Sequence, residues 1–186
     1  MRRLPLALAL AALAASADRF APADGSMVKV EGTSTLHAWS VQSTTIAGRI
    51  DATTPEQWNG DAGVVVTIPV ASIKSEHAKM DKLMAEALKA KQYPDIRYEL
   101  THATPQGGAA AFTVKATGKL TIAGVTRDVT LDIHGTRNAA GRYTLTGAAP
   151  LKMTDFGIKP PKAMLGTIKT GDDVSVTFRW VVEKTK

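Results

Sequence analysis

Between Phe112 and His134 the sequence alternates apolar and polar residues almost without interruption, and this period of two constrains the fold more than any other feature. Successive side chains of an extended strand point to opposite faces. Phe112, Val114, Ala116, Gly118, Leu120 and Ile122 share one face of the first run, against Thr113, Lys115, Thr117, Lys119 and Thr121. In the second run Val125, Arg127, Val129, Leu131 and Ile133 share a face, opposed by Thr126, Asp128, Thr130, Asp132 and His134. Only Ala123 and Gly124 lie between the runs, which predicts a β-hairpin with a tight turn.

The pattern recurs along the chain. Val64, Val66, Ile68 and Val70 form one such face, Ile96, Tyr98 and Leu100 another. So do Tyr143, Leu145, Gly147, Ala149, Leu151 and Met153, and then Val174, Val176, Phe178, Trp180 and Val182. Segments around Val28–Val30 and from Trp39 to Ile50 bring the total to about eight strands. One segment differs. Over 75–92, Met80, Leu83, Met84, Ala87 and Leu88 recur at helical spacing, with Ser75 as N-cap and Pro94 as the stop. A second irregular stretch, 155–171, contains Pro160-Pro161 and enough apolar residues to pack on something.

Strands with one apolar face must hide it, in a sandwich or a closed barrel. An eight-stranded barrel either fills its interior or holds one small ligand. Inward residues such as Ala116, Gly118, Gly147 and Ala149 are small, and aromatics are only 5 % of the chain, so an incompletely packed interior is one expectation. A self-filled core is the other, and the pattern leaves both open. The polar face, rich in Lys, Thr, Asp and Glu, lacks the apolar band and aromatic girdles of an outer-membrane barrel.

The chain begins with Arg2-Arg3, an apolar run from Leu4 to Ala14 and the small-x-small sequence Ala15-Ser16-Ala17. These are the parts of a signal peptide cleaved after Ala17, which predicts a periplasmic or secreted protein. The expected layout is a signal over 1–17, a flexible lead-in over 18–26 rich in Ala, Pro, Asp and Gly, and one barrel domain over 27–186. With no cysteine, disulfides, thiolate metal sites and cysteine nucleophiles are excluded. Loss of Arg2 and Arg3 lowers the net charge from +6 to +4. That mild excess suits anionic ligands or peripheral contact with a membrane surface and does not by itself argue for nucleic acid. His37, His77, His102 and His134 show no metal-ligand spacing, and no nucleophile elbow, phosphate loop or dinucleotide fingerprint occurs. No catalytic residue, metal or cofactor is therefore assigned.

Four ordered motifs carry a resemblance. They are Val-Ala-Ser-Ile-Lys-Ser (70–75); Met-Asp-Lys-Leu-Met (80–84) with Lys-Gln-Tyr-Pro-Asp-Ile-Arg-Tyr (91–98); Gly-Lys-Leu-Thr-Ile-Ala-Gly-Val-Thr-Arg-Asp-Val-Thr-Leu (118–131); and Asp-Phe-Gly-Ile (155–158). Together they resemble the YceI-like proteins, described as lipid- or polyisoprenoid-binding and lipocalin-like in shape. The match runs from about Val28 to Glu183. The chain departs from it at Gly-Thr-Ser-Thr-Leu-His-Ala-Trp-Ser (32–40), where many members have an Asp-x-x-His-Ser opening.

The resemblance implies an all-β, lipocalin-like antiparallel barrel of about eight strands with one inserted helix. A polyisoprenoid, quinone-like or fatty-acyl molecule would lie in its apolar interior. The candidate ligand contacts are Trp39, Leu83, Met84, Leu88, Tyr98, Phe156, Ile158 and Phe178, with Phe156 and Ile158 as a lid or a turn anchor. Lys152, Lys159 and Lys162, in a cluster continued by Lys169, would face a polar headgroup. Asp81 is read as structural, capping the helix or bridging to a base such as Arg97. Two other functions remain: an accessory redox or enzyme protein presenting a quinone-like molecule, and a stress-related interaction module with a filled barrel. A homodimer is compatible with the sequence, which does not specify oligomeric state.

Overall fold

The computed structural model describes residues 17–58 and 62–185, so all but the last residue of the expected signal peptide lies outside the described residues. The strands are β1 (Asp18–Pro22), β2 (Met27–Ser34), β3 (Ala38–Ser43), β4 (Ala47–Ala52), β5 (Gly63–Pro69) and β6 (Asp95–Gly107). They continue with β7 (Ala111–Ile122), β8 (Val125–Arg137), β9 (Tyr143–Lys152), β10 (Lys162–Ala163) and β11 (Ile168–Lys184). The helix α1 covers Ala78–Ala87.

These strands form a closed antiparallel barrel of eight ribbons. One edge of β11 pairs with β9. Its other edge pairs first with β2 and then with β1, so β1 and β2 act as one interrupted ribbon. β2 pairs with β3 and β1 with β4, so β3 and β4 form a second interrupted ribbon. β4 then pairs with β5, and the sheet runs through β6, β7 and β8 back to β9. The predicted hairpin is present in register: Ile122 pairs with Val125 across Ala123 and Gly124. Both turn residues have positive φ, 51° and 82°, the twist a two-residue hairpin turn requires.

Two expectations change and a third gains detail. The segment 18–26, read as a flexible lead-in, contains β1, paired on both sides. Without it the barrel would have a gap between β4 and β11, and Phe20, 3 % exposed, would lose its place edge-on to Tyr143 at 5.5 Å. These ladder bonds and this burial override an Ala/Pro/Gly composition that disfavours strands. The helix begins at Ala78 rather than Ser75 and ends before Lys89, whose φ of 53° turns the chain out of it. Ser75 does not cap it: its N–H and Oγ both donate to Asp81 Oδ1 at 2.7 Å. Asp81 accordingly does not reach Arg97, which pairs with Glu99 at 2.6 Å. Finally, 155–171 is a compact structure, with 3-10 turns at Met153–Phe156 and Met164–Gly166 around β10.

The interior is filled at one end only. Phe20, Ile50, Trp58, Phe112, Tyr143, Leu145 and Val182 form a dense plug where β1, β4 and the ends of β7, β8, β9 and β11 meet. At the opposite end, α1 lies across the barrel and none of its residues is buried.

Candidate ligand cavity

Beneath α1 lies a cavity of about 780 Å³, within the range of roughly 300–1,000 Å³ typical of small-molecule sites. Its walls come from inward positions of the strands, among them Val30, Ile68, Ile96, Leu120 and Val176. Its roof is the apolar face of α1, Met80, Leu83, Met84 and Ala87, continued by the C-cap residue Leu88. These five residues have the spacing of an amphipathic helix. Ala87 and Leu88 also pack against the Ala123, Phe156 and Ile158 cluster, while Met80, Leu83 and Met84 cover the void. Polar side chains stand in the β2–β3 turn, at and just before the start of α1 and at the end of β9, notably His37, Glu76, His77, Lys79 and Lys152. A smaller chamber of about 130 Å³ shares Val28, Ile68, Leu120, Leu151 and Val176 with the first, so the two are stacked along the barrel.

The inward glycines do not create this space. A Cβ on Gly147 would lie 2.6 Å from Phe178 Cζ, and one on Gly118 2.5 Å from Tyr98 Cζ. Each glycine lets an aromatic ring lie flat against the barrel wall. Tyr98 and Phe178 line the inner chamber in this way. Burial pushes the Tyr98 hydroxyl pKa up to about 12, and its Oη has no hydrogen-bond partner among the described residues. Trp39 lies on Gly32 by the same device, with its Nε1 donating to the Thr33 carbonyl at 3.0 Å. Its ring lines the outer cavity.

The motifs singled out in the sequence converge on the mouth. Ser75 and Asp81 tie the end of the first motif to the helix of the second. Asp81 is held below its ordinary carboxylate range, first by the Ser75 hydroxyl and then by the Ser75 amide. Tyr93, from the second motif, lies over Gly124 at the β7–β8 turn, where a Cβ would collide with its ring. Phe156 and Ile158, from the fourth motif, are buried with Ala123 of the third. Gly157 makes the turn between them with φ of 65°. Arg127 Nε clamps the same segment by donating to the Asp155 carbonyl at 2.8 Å.

The expected contacts therefore divide. Trp39, Leu83, Met84, Leu88 and Ile158 line the outer cavity, and Tyr98 and Phe178 the inner chamber. Phe156 lines neither; it is 2 % exposed and anchors its segment against the hairpin tip. Of the headgroup lysines only Lys152 reaches the cavity, and its Nζ is 2.7 Å from Asp173 Oδ1. Lys159 and Lys162 stand outside the lining, next to Ile158 and Pro161 that belong to it. Sequence reasoning missed most of the wall, including Val30, Ile68 and Val176, although each sits on a strand face it had already identified as apolar. Among the described residues no cluster of three or more His, Asp or Glu is arranged to hold a metal ion. His102 and His134 are exposed on the outer surface.

A closed antiparallel barrel with one filled end, one hollow end and a helix over the opening has the lipocalin-like form. The YceI-like domain model matches residues 19–182, and the chain belongs to that family. A UPF0312 protein of Pseudomonas putida (strain KT2440) is 34 % identical over 130 residues, 65 % of this chain and 63 % of the relative. The chain thus spans less than two thirds of that relative's length. A UPF0312 protein of Pseudomonas syringae pv. tomato is 30 % identical over 143 residues, 72 % of this chain and 68 % of the relative. Among solved structures, a polyisoprenoid binding domain from Saccharophagus degradans, implicated in plant cell wall breakdown, superposes with a TM-score of 0.71 at 14 % identity. That match covers 91 % of this chain and 99 % of the other. BcnA of Burkholderia cenocepacia gives 0.69 at 22 % identity, covering 84 % and 95 %. These similarities establish the fold.

Proposed function

We propose that this protein is an exported carrier that holds one long-chain lipid, an isoprenoid or fatty-acyl molecule, in the barrel and performs no chemistry on it. The observation that carries this reading is the helix roof: α1 and its C-cap residue Leu88 turn five apolar side chains toward a cavity of about 780 Å³. Exposed apolar surface of that kind is costly in water and is relieved when a hydrocarbon chain fills the space. Each CH₂ removed from water contributes about 0.8 kcal/mol. Roughly ten methylenes would thus supply about 8 kcal/mol, enough for micromolar binding before ordering costs are deducted. Specific hydrogen bonds are not required, which fits walls made of Val, Ile, Leu and Met.

The polyisoprenoid-binding domain among the structural neighbours supports the ligand class. The N-terminal charged and apolar run supports export, with cleavage after Ala17. The test is native mass spectrometry of the full-length gene product, expressed and purified without detergent. It should retain a lipid-sized adduct, begin at Asp18, and after delipidation take up geranylgeraniol or oleate at one equivalent. A delipidated protein that takes up neither would end the carrier reading.

A further inference from the structure

The rim of the cavity carries exposed groups that a carrier of a buried chain does not need. Leu36, in the β2–β3 turn, is 66 % exposed, and Leu165, at the tip of the β10–β11 connection, is 108 % exposed. Leu165 also has φ of 55° and ψ of 29°, the left-handed region that a leucine enters only at a steric cost. The two tips belong to one surface. Thr35 N–H donates to the Lys169 carbonyl at 2.9 Å, and the Lys169 N–H donates to Thr35 Oγ1 at 3.2 Å. Both flank the opening, since Leu36, Pro161 and Ile168 line the cavity.

The charge around these leucines is one-sided. Lys162 and Lys169 are direct cross-strand partners in β10 and β11. Like charges in that position are unfavourable. Among the described residues no carboxylate forms a salt bridge with either, nor with Lys159 or Lys79 close by. The nearby acids are occupied or outnumbered. Asp173 pairs with Lys152, Asp172 accepts from Thr154 N and Oγ1, and Glu76 stands alone on the helix side.

We propose that this rim is a docking surface for an anionic phospholipid bilayer. Leu36 and Leu165 enter the headgroup layer, Lys159, Lys162 and Lys169 face lipid phosphates, and the cavity mouth opens onto the membrane. Two exposed apolar side chains beside basic residues are the minimal form of an interfacial anchor. The cross-strand lysine pair, unfavourable in water, becomes favourable against a negative surface. The orientation would let a chain pass between bilayer and cavity without crossing water. The inference concerns the outer surface and is independent of which ligand the cavity takes.

The test is flotation of the delipidated mature protein with two kinds of vesicle. One is phosphatidylcholine alone, the other an equal mixture with phosphatidylglycerol. The protein should float with the mixture and stay behind with phosphatidylcholine. Lys162→Gln and Lys169→Gln should each weaken vesicle binding about fivefold. Leu165→Asn should weaken it about tenfold. Asparagine tolerates the left-handed region, so this variant should melt no earlier than wild type. Because Leu165 is not part of the lining, its uptake of geranylgeraniol in vesicle-free solution should be unchanged, which separates docking from ligand binding. Three results would overturn the proposal: no flotation with the mixture, equal flotation with both vesicles, or wild-type flotation of Leu165→Asn. Displacement from vesicles by soluble glycerophosphoglycerol at matched ionic strength would overturn it too, by showing a free-anion site.

Discussion

The two ends of this barrel should respond oppositely to the same substitution. Leu145, 1 % exposed, lies in the dense plug; Leu83, 37 % exposed, lies on α1 over the cavity. Leu145→Ala leaves a hole that neighbours cannot fill, and such changes cost about 2–5 kcal/mol of folding stability. Leu83→Ala removes atoms that, in the empty protein, meet no packed neighbours, so its cost should stay within about 1 kcal/mol. Affinity should show the reverse. Truncating Leu83 removes about three carbons, worth roughly 2.4 kcal/mol if fully covered by ligand. Allowing for its partial exposure leaves about 1.5 kcal/mol, near tenfold in Kd. Leu145 lines only the inner chamber and not the outer cavity under α1, so Leu145→Ala should change the Kd for geranylgeraniol less than Leu83→Ala does. Urea titration of delipidated protein gives the first quantity and titration with geranylgeraniol the second. If Leu83→Ala destabilises the delipidated protein as much as Leu145→Ala does, the helix covers a packed core and the reasoning is wrong.

Further outcomes follow from the same geometry. Ala149→Phe places a ring in the inner chamber of about 130 Å³ and should shorten the longest chain accepted while sparing shorter ones, checked with a series of fatty acids. Gly147→Ala forces a Cβ to 2.6 Å from Phe178 Cζ and should cost about 1–3 kcal/mol in urea unfolding. Asp81 is held below its ordinary range by Ser75, so the helix tether is intact above the unfolded-state value of about 3.9 and is lost as pH falls through the lower folded value. The protection factors of the α1 amides, exchange rates divided into the intrinsic rates at each pH, should therefore fall on acidification, and Asp81→Asn should show that lower protection already at neutral pH. Lys152→Ala should weaken oleate binding more than geranylgeraniol binding if Lys152 can leave Asp173 for a carboxylate headgroup; equal effects would leave it a surface ion pair only.

Most of the fold was legible because period-two alternation reports which face of a strand is hidden, and long-range pairing follows from that. The register of β7 with β8 and of β9 with β11 keeps the faces read from the sequence. Where local composition was used instead, it misled. Asp18–Pro22 is a strand because the closing barrel supplies two partners, which a window of Ala, Pro and Gly does not reveal. Asp81 was legible as structural but not as the partner of Ser75, because the turn that brings them together spans two motifs.

Whether the interior is hollow was not legible from alternation, and the residues taken as its sign were the wrong ones. Gly118 and Gly147 are small because Tyr98 and Phe178 lie against them, so they mark packed wall rather than empty space. The usable signal was the order of residue types along each strand. In β7 the inward face starts with Phe112 and ends with Ile122; in β9 it starts with Tyr143 and ends with Leu151; in β11 it runs from Val174 to Trp180. Antiparallel pairing stacks the aromatic ends together and the aliphatic ends together. Rings fill the first end, where Tyr143 meets both Phe20 and Phe112 edge-on. Branched aliphatic side chains on opposite walls do not span the second end, so a cavity remains. A barrel in which the inward rings of β1, β7 and β9 gather at one end should therefore be hollow at the other, and the helix that follows β5 then has a void to cover.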